Sequence, residues 1–163
     1  MRKLILLLLY VLTAGIFLLC HLTASSTVPF SAGNGNVALY FIIILIPILI
    51  GIVYLLSDFL RHLVINKKHL NIIILLLITQ ICLGIFYQYN QLDNYRDTLA
   101  NAYFDYFGYH DMEYIHMITV GFSSQLNNQY FNLNTWFMFL SFTILSSLVV
   151  NPIKKIINHL TTR

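Results

Sequence analysis

Charge is what this sequence lacks most. Only 9% of its 163 residues are Asp, Glu, Lys or Arg, whereas a soluble domain carries about 25%. Hydrophobic residues make up 58% of the chain, and its mean hydropathy is +0.75. This composition excludes an ordinary soluble globule and an intrinsically disordered chain, and nine Lys and Arg against six acids leave no basic face for nucleic acid. We therefore expect an integral membrane protein.

Cysteine is also scarce. The chain contains only Cys20 and Cys82, with no Cys-x-x-Cys spacing, so a dithiol redox enzyme is not indicated. Both cysteines fall in outer halves of predicted helices, where a disulfide would require those helices to touch. We interpret them as two separate thiols that pack as small apolar residues. No pattern in the sequence predicts a cofactor or a metal.

Long uncharged runs are abundant, and four of them are long enough to cross a bilayer core of about 30 Å as helices. The predicted spans are residues 4–22, 37–56, 70–88 and 131–150. Backbone groups in lipid must be bonded internally, and the period-2 alternation of a barrel strand is absent. We predict an all-α polytopic membrane protein: a four-transmembrane-helix bundle, with an amphipathic helical outer loop, forming one domain over residues 1–163.

Orientation follows from the basic residues, because short positively charged loops stay cytoplasmic. Eight of the nine fall before span one, between spans two and three, or after span four: Arg2, Lys3, Arg61, Lys67, Lys68, Lys154, Lys155 and Arg163. We therefore place both termini in the cytoplasm and residues 89–133, which we call the outer segment, outside the cell membrane. The abundance of Ile, Asn and Tyr indicates an AT-rich bacterial genome.

Two terminal regions allow specific predictions. Residues 1–26 also match a signal peptide, with Ala24-Ser25-Ser26 as a cleavage site, but the apolar stretch is long for that role and favours a retained helix. At the other end, Asn151-Pro152 is predicted to interrupt the last helix. The basic tail, residues 151–163, then places isoleucines opposite Lys154 and Lys155, a pattern that favours binding to anionic inner-leaflet lipids.

Two loops outside the membrane differ in character. The first, residues 23–36, has no charge and contains Gly-Asn pairs, so we interpret it as a short flexible link. The outer segment carries five acids against Arg96 alone, a net charge of about −4, and ten aromatic residues lie between Tyr95 and Phe131. Apolar periodicity predicts a helix over 92–106 that ends at Gly108, and a second short helix over 111–120 with Asp111 as its N-cap.

The sharpest chemical pattern is His110-Asp111-Met112-Glu113-Tyr114-Ile115-His116. On a helix, His110, Glu113 and His116 fall on one sector, where they could act as acid and base on a lipid-linked substrate; we name them candidate catalytic residues. As candidate substrate-binding residues we name Asp93, Arg96 and Asp97, which could hold a headgroup. The set lacks the two-histidine i, i+4 spacing of a zinc site and the paired Glu-x-x-His elements of a di-iron site.

Three functions remain open. The leading hypothesis is a non-enzymatic accessory, regulatory or immunity-type subunit that contacts a membrane or secreted protein through the outer segment. The second is an outer-leaflet enzyme acting on a lipid or lipid-linked substrate. The third is a small channel or holin-like pore former, with a polar lining drawn from the spans: Gln80, Thr143, Ser146 and Ser147. No acidic or basic residue lies at the centre of a span, which disfavours an ion-coupled transporter.

Overall fold

The fold is helical throughout the part of the chain that the computed structural model describes, namely residues 1–23, 36, 38–63 and 66–161, with only the backbone described over 151–161. Helix makes up 87% of it, and these residues contain no strand. The helices are α1 (Arg2–Leu22), α2 (Ala38–Arg61), α3 (Lys67–Phe107), α4 (Met112–Ile118), α5 (Asn127–Tyr130) and α6 (Leu133–Thr161), with a 3₁₀ turn at Ser124–Leu126.

Four of the helices in these ranges, α1, α2, α3 and α6, are long and apolar enough to cross a membrane. The prediction of an all-helical chain with four such helices is confirmed. Helix α6 packs against both α2 and α3, and α1 packs against α2. The main core lies between α1, α2 and the start of α6, where Phe17 meets Phe131 edge-on with ring centroids 5.4 Å apart.

Helix α3 is much longer than a membrane span. Its 41 residues extend about 60 Å at 1.5 Å per residue, roughly twice the thickness of a bilayer core. The prediction of a separate helix over 92–106 is wrong, because these residues continue α3 without interruption. No Gly or Pro occurs between Gly84 and Gly108, so no helix-breaking residue interrupts the backbone hydrogen bonds of α3 there. The helix ends where expected, at Gly108 with φ 76°.

Helix α6 also continues further than predicted. It runs through Asn151-Pro152 to Thr161, so the predicted interruption is wrong. A proline removes one backbone hydrogen bond but can be accommodated within a long helix. The side chains of the basic tail lie outside the described part of the chain. So do most of the predicted first loop and the Ala24-Ser25-Ser26 cleavage site.

The outer segment has a small core of its own. It is formed where the distal half of α3 meets α4, from Leu99, Ala100, Tyr103, Ile115 and Ile118. Helix α4 starts as predicted, since the Asp111 side chain accepts a hydrogen bond of 2.9 Å from the Tyr114 backbone N–H. An amphipathic stretch of α3 is thereby covered by a second helix.

The opposite end of the bundle is held by ion pairs. Asp58 of α2 is bonded to Arg2 of α1 and, at 2.6 Å, to Arg61 one turn later. The Lys3 ammonium lies 5.4 Å from the centre of the Phe59 ring. The start of α1 is therefore joined to the end of α2, and basic residues gather at the end of these helices remote from the outer segment.

Candidate functional site

The three candidate catalytic residues are all exposed. His110 stacks on Phe104 with ring centroids 4.7 Å apart, while Glu113 and His116 lie on α4. Within the described ranges no group of three or more His, Cys, Asp or Glu side chains is placed to hold a metal ion. Glu113 and His116 therefore share α4, whereas His110 precedes this helix and packs on α3.

The candidate substrate-binding residues have separate environments. Asp93 and Asp97 are exposed. Only 18% of the Arg96 side chain is accessible, and it lies 3.5 Å from Asp93. Arg96 donates from Nε to Thr119 Oγ1 at 3.0 Å and from Nη2 to the Thr119 carbonyl at 3.2 Å. Because Thr119 is the C-cap of α4, the guanidinium is engaged in holding the two helices together.

A set of carboxamides, absent from the sequence-based candidates, joins the outer segment to the bundle. Asn127 of α5 is 1% exposed and pairs reciprocally with Asn36. The Asn36 Nδ2 donates to Asn127 Oδ1 at 2.8 Å, and the Asn127 Nδ2 donates to Asn36 Oδ1 at 2.9 Å. The same Asn127 nitrogen reaches Thr23 Oγ1 at 3.1 Å. Thr23, directly after α1, and Asn36, shortly before α2, are thus both bonded to α5.

The other half of this set fixes α3 and α6. Gln88 Nε2 donates to the Gln129 carbonyl at 2.5 Å, and Asn132 Nδ2 donates to Gln88 Oε1 at 3.1 Å. Asn134 Nδ2 donates to the Gly84 carbonyl at 3.0 Å. We call the six residues the carboxamide cluster: Asn36, Gln88, Asn127, Gln129, Asn132 and Asn134. Neutral amides donate and accept hydrogen bonds without titrating, so the cluster positions helices rather than transferring protons.

The sequence does contain a signal for this cluster. Between positions 125 and 134, six of ten residues are Asn or Gln. Such density next to an apolar run is unusual because each buried amide must find partners. Gln125, which is 1% exposed, accepts a hydrogen bond of 3.1 Å from the Tyr95 hydroxyl. Burial raises the pKa of Tyr95.

The surface of the outer segment is aromatic and acidic. Met117, Val120 and Phe122, close together in the chain, are 63%, 66% and 63% exposed. Further large side chains are exposed around the tip of α3 and the start of α4: Phe104, Tyr106, Phe107, Tyr109 and Met112. Asp93, Asp97, Asp105 and Glu113 are exposed as well. Exposed apolar groups within a charged surface of one sign are typical of a protein-binding face.

An apolar groove of about 420 Å³ lies between α1 and α6, beside the carboxamide cluster. Phe17, Leu18 and Trp136 form much of its wall, and His21 and Asn132 supply its polar groups. The His21 Nδ1 donates to the Phe131 carbonyl at 2.8 Å. This bond leaves Nε2 as the remaining hydrogen-bonding atom of the ring. The groove has the size and the mixed lining of a small-molecule site.

The four candidate pore-lining residues, all within the described part of the chain, do not share one groove. Thr143 and Ser147 are fully buried, with Thr143 Oγ1 3.2 Å from the Tyr10 hydroxyl and Ser147 donating to the Val53 carbonyl at 3.3 Å. Ser146 lies in another groove with α2, and Gln80 faces a groove along α3. The two cysteines are free thiols, Cys20 buried and Cys82 exposed.

Comparison with protein-family models, with curated proteins and with solved structures found no match.

Proposed function

We propose that this chain is a multi-pass cell-membrane protein that acts as a non-enzymatic accessory, regulatory or immunity-type subunit. It contacts a membrane or secreted protein through the outer segment. The observation that carries the proposal is the length of α3, which extends well beyond its membrane-spanning part. Its apolar part needs only about 20 residues to cross lipid, and the remainder, with α4, presents an acidic aromatic surface on a folded support.

The position of charge supports the membrane placement. Arg2, Lys3 and Arg61 gather at one end of the bundle, whereas the acidic outer segment extends from the other. The positive-inside rule then puts the basic end in the cytoplasm. Both termini lie on that side, and the basic tail binds anionic lipids of the inner leaflet. The outer segment lies outside the cell.

The surface itself indicates the chemistry of the partner. A net charge of about −4 on the outer segment favours a partner with a basic face. Attraction between the two charged surfaces speeds association and orients the partner. Exposed Met117 and Phe122 supply the apolar contacts that stabilise a bound complex. The Arg96 bonds and the carboxamide cluster hold this surface in place before binding, so little ordering is required when the partner arrives.

Site-specific photocrosslinking in native membranes tests the proposal. A photoreactive residue at Phe122 is expected to capture one protein in near-stoichiometric yield. The same residue at Phe86, equally exposed on the apolar part of α3, is expected to capture lipid. The substitution Met117→Ser should greatly reduce the protein crosslink at position 122. Equal capture at both positions, or capture of no protein at position 122, would contradict the proposal.

The groove between α1 and α6 favours a second candidate, a protein that binds or processes a lipid at the outer leaflet. Its apolar wall suits an acyl or prenyl chain, and His21 and Asn132 at its polar end suit a headgroup. Filling the groove with Leu18→Trp is expected to remove a lipid that copurifies with the protein. Leu19→Trp, at a similarly exposed neighbour, is the control. Equal lipid retention by both variants would eliminate this candidate.

A further inference from the structure

Gln80 is a polar residue in the most apolar part of α3. It lies near the middle of the predicted span 70–88, about 12 Å from Gln88 and about 15 Å from Leu70 along the helix axis. Its Oε1 atom is buried and receives no hydrogen bond from any group in the described ranges. In a bilayer, this position is as far from water as the span allows. An unsatisfied amide is therefore most costly there.

The neighbouring helix does not supply the missing donor. The nearest amide on α6, Asn134, shares the groove with Gln80, but its Nδ2 donates to the Gly84 carbonyl at 3.0 Å. On the α6 side of the groove, Met138 packs directly against Gly84. A Cβ atom added at Gly84 would lie 2.7 Å from the Met138 sulfur. The seam between α3 and α6 is packed at Gly84, so the buried Gln80 oxygen can meet a new donor only when the amide turns toward the open side of the groove.

The open side of the groove is a broad exposed face of α3. Only 6% of the apolar window of α3 is buried in the single chain, the lowest share among the four apolar helices of the described ranges. Leu76, Leu83 and Tyr87, which flank Gln80 at helical spacing, are 62%, 64% and 51% exposed. Lipid tails can cover the apolar members of this face, but they have no donor for the Gln80 oxygen.

We propose that this face of α3 binds the same face of a second copy of the chain, with Gln80 paired to Gln80 across a two-fold axis. A carboxamide carries both an acceptor oxygen and an N–H₂ donor, so two copies satisfy each other reciprocally. The terminal torsion of glutamine is soft, and a small rotation turns the amide toward the groove mouth. A two-fold axis brings the same residue of both copies together at the same depth in the membrane. Hydrogen bonds between amides on two helices then favour association of the helices in lipid.

This inference rests on the membrane placement proposed above, and disulfide crosslinking of the full chain in its native membrane tests it. Leu83 lies one turn from Gln80 on the open side, whereas Cys82 lies about 200° from Gln80 round the helix. With Cys82 replaced by alanine, Leu83→Cys is expected to form a disulfide-linked dimer. The unaltered chain, whose exposed thiol is Cys82, serves as the control and is expected to remain monomeric on oxidation.

Removing the amide gives the second test. In the Leu83→Cys, Cys82→Ala chain, Gln80→Leu is expected to lower the dimer association constant about tenfold, the effect of two interhelical hydrogen bonds. Ser146→Ala, a polar removal in the separate groove on α6, should leave it unchanged. Circular dichroism of each variant establishes that the helices are retained. Equal crosslinking with and without Gln80 would overturn the proposed pairing.

The outcomes separate this inference from the proposed function. A chain absent from the membrane fraction would overturn both. A membrane-embedded chain that crosslinks no better at position 83 than at Cys82 would overturn only the dimer. Dimer formation through Leu83→Cys without any protein captured at Phe122 would instead contradict the proposed partner while supporting the α3 contact.

Discussion

Arg96 and Thr119 join α3 to the end of α4 through two hydrogen bonds from one guanidinium, of 3.0 and 3.2 Å. The donor is a cation placed at the C-terminus of a helix, where it also interacts favourably with the helix dipole. Because only 18% of the Arg96 side chain is exposed, water competes weakly for these bonds. This contact holds the acidic aromatic surface of the outer segment against the projecting part of α3.

Removing this guanidinium should loosen α4. We expect Arg96→Met to retain the packed side-chain stem and to lower the free energy of unfolding of the outer segment by about 2 kcal/mol, the typical contribution of hydrogen bonds to a charged group. Hydrogen exchange of the α4 amides, measured in lipid nanodiscs, reports this loss directly. Arg96→Lys should not rescue it, because a single ammonium cannot reproduce the guanidinium fork.

The neighbouring Asp97 provides the control for this prediction. Asp97 is exposed one position later on the same helix, so Asp97→Asn changes charge without removing a buried contact. We expect its effect on exchange to stay within about 0.5 kcal/mol. Equal protection of α4 in Arg96→Met and in the unaltered chain would show that the bonds to Thr119 do not stabilise the outer segment.

The local features of the outer segment could be predicted from sequence. A glycine at position 108 ends α3 because φ 76° strains any residue with a side chain. Asp111 begins α4 because a short acceptor side chain satisfies a free backbone N–H. Both depend on residues within one turn. The change in polarity after residue 88 does not reveal the continuity of α3, because helical hydrogen bonds are local and the backbone does not break where polarity changes.

The carboxamide cluster could not be predicted in the same way. Asn36 and Asn127 are 91 residues apart in the chain, and no spacing rule connects them. Arg96 illustrates the same limit, since its hydrogen bonds to Thr119, 23 residues away, follow from no spacing rule in the sequence. Helix packing decides which polar side chains form hydrogen bonds with one another. A single sequence with four similar apolar runs does not determine that packing.

Gly84 should be intolerant of a side chain. A Cβ atom there would lie 2.7 Å from Met138 Sδ and 3.1 Å from Asn134 Oδ1, closer than van der Waals contact allows. We expect Gly84→Ala to lower the free energy of unfolding by about 1–3 kcal/mol through overpacking of the seam between α3 and α6. Thermal unfolding in detergent measures the change. Shortening the opposing residue with Met138→Ala in the same chain should relieve the clash.

Gly15 supplies the matched control on α1. A Cβ at this position would meet no atom within 4 Å, so Gly15→Ala is expected to leave stability unchanged or to raise it by up to about 1 kcal/mol through helix propensity. Similar melting temperatures for Gly84→Ala and Gly15→Ala would refute the close approach of α6 to α3.

Asn127 should be the most sensitive member of the carboxamide cluster. Asn127→Leu has nearly the same size but removes both hydrogen bonds of the amide pair with Asn36 and the bond to the Thr23 hydroxyl. Because each lost hydrogen bond costs about 1 kcal/mol, we expect a loss of about 2–4 kcal/mol in the free energy of unfolding. Limited proteolysis near α5 gives the readout. The exposed Asn101 provides the control as Asn101→Leu, and equal proteolysis of the two variants would exclude a stabilising role for the cluster.

Alkaline pH should destabilise the outer segment through Tyr103. Its hydroxyl lies 3.1 Å from that of Tyr109, and this hydrogen bond together with burial raises the pKa of Tyr103 to about 12. An unfolded tyrosine ionises near pH 10, so the folded state holds the proton more tightly. The resulting stabilisation is fully present below pH 10 and is lost as the pH rises toward 12.

The measurement for Tyr103 is a difference between two pH profiles. Hydrogen exchange of slowly exchanging amides in α4, corrected for its intrinsic pH dependence, should show stability falling above pH 10 in the unaltered chain. Tyr103→Phe should fall less steeply, because the ionisable group is gone while the ring contacts with Phe107 and Tyr114 remain. Tyr106→Phe, at an exposed position on the same turn, is the control and should follow the unaltered profile. If Tyr103→Phe also followed that profile, the alkaline loss would have to arise from another group, such as Tyr95, whose pKa burial also raises.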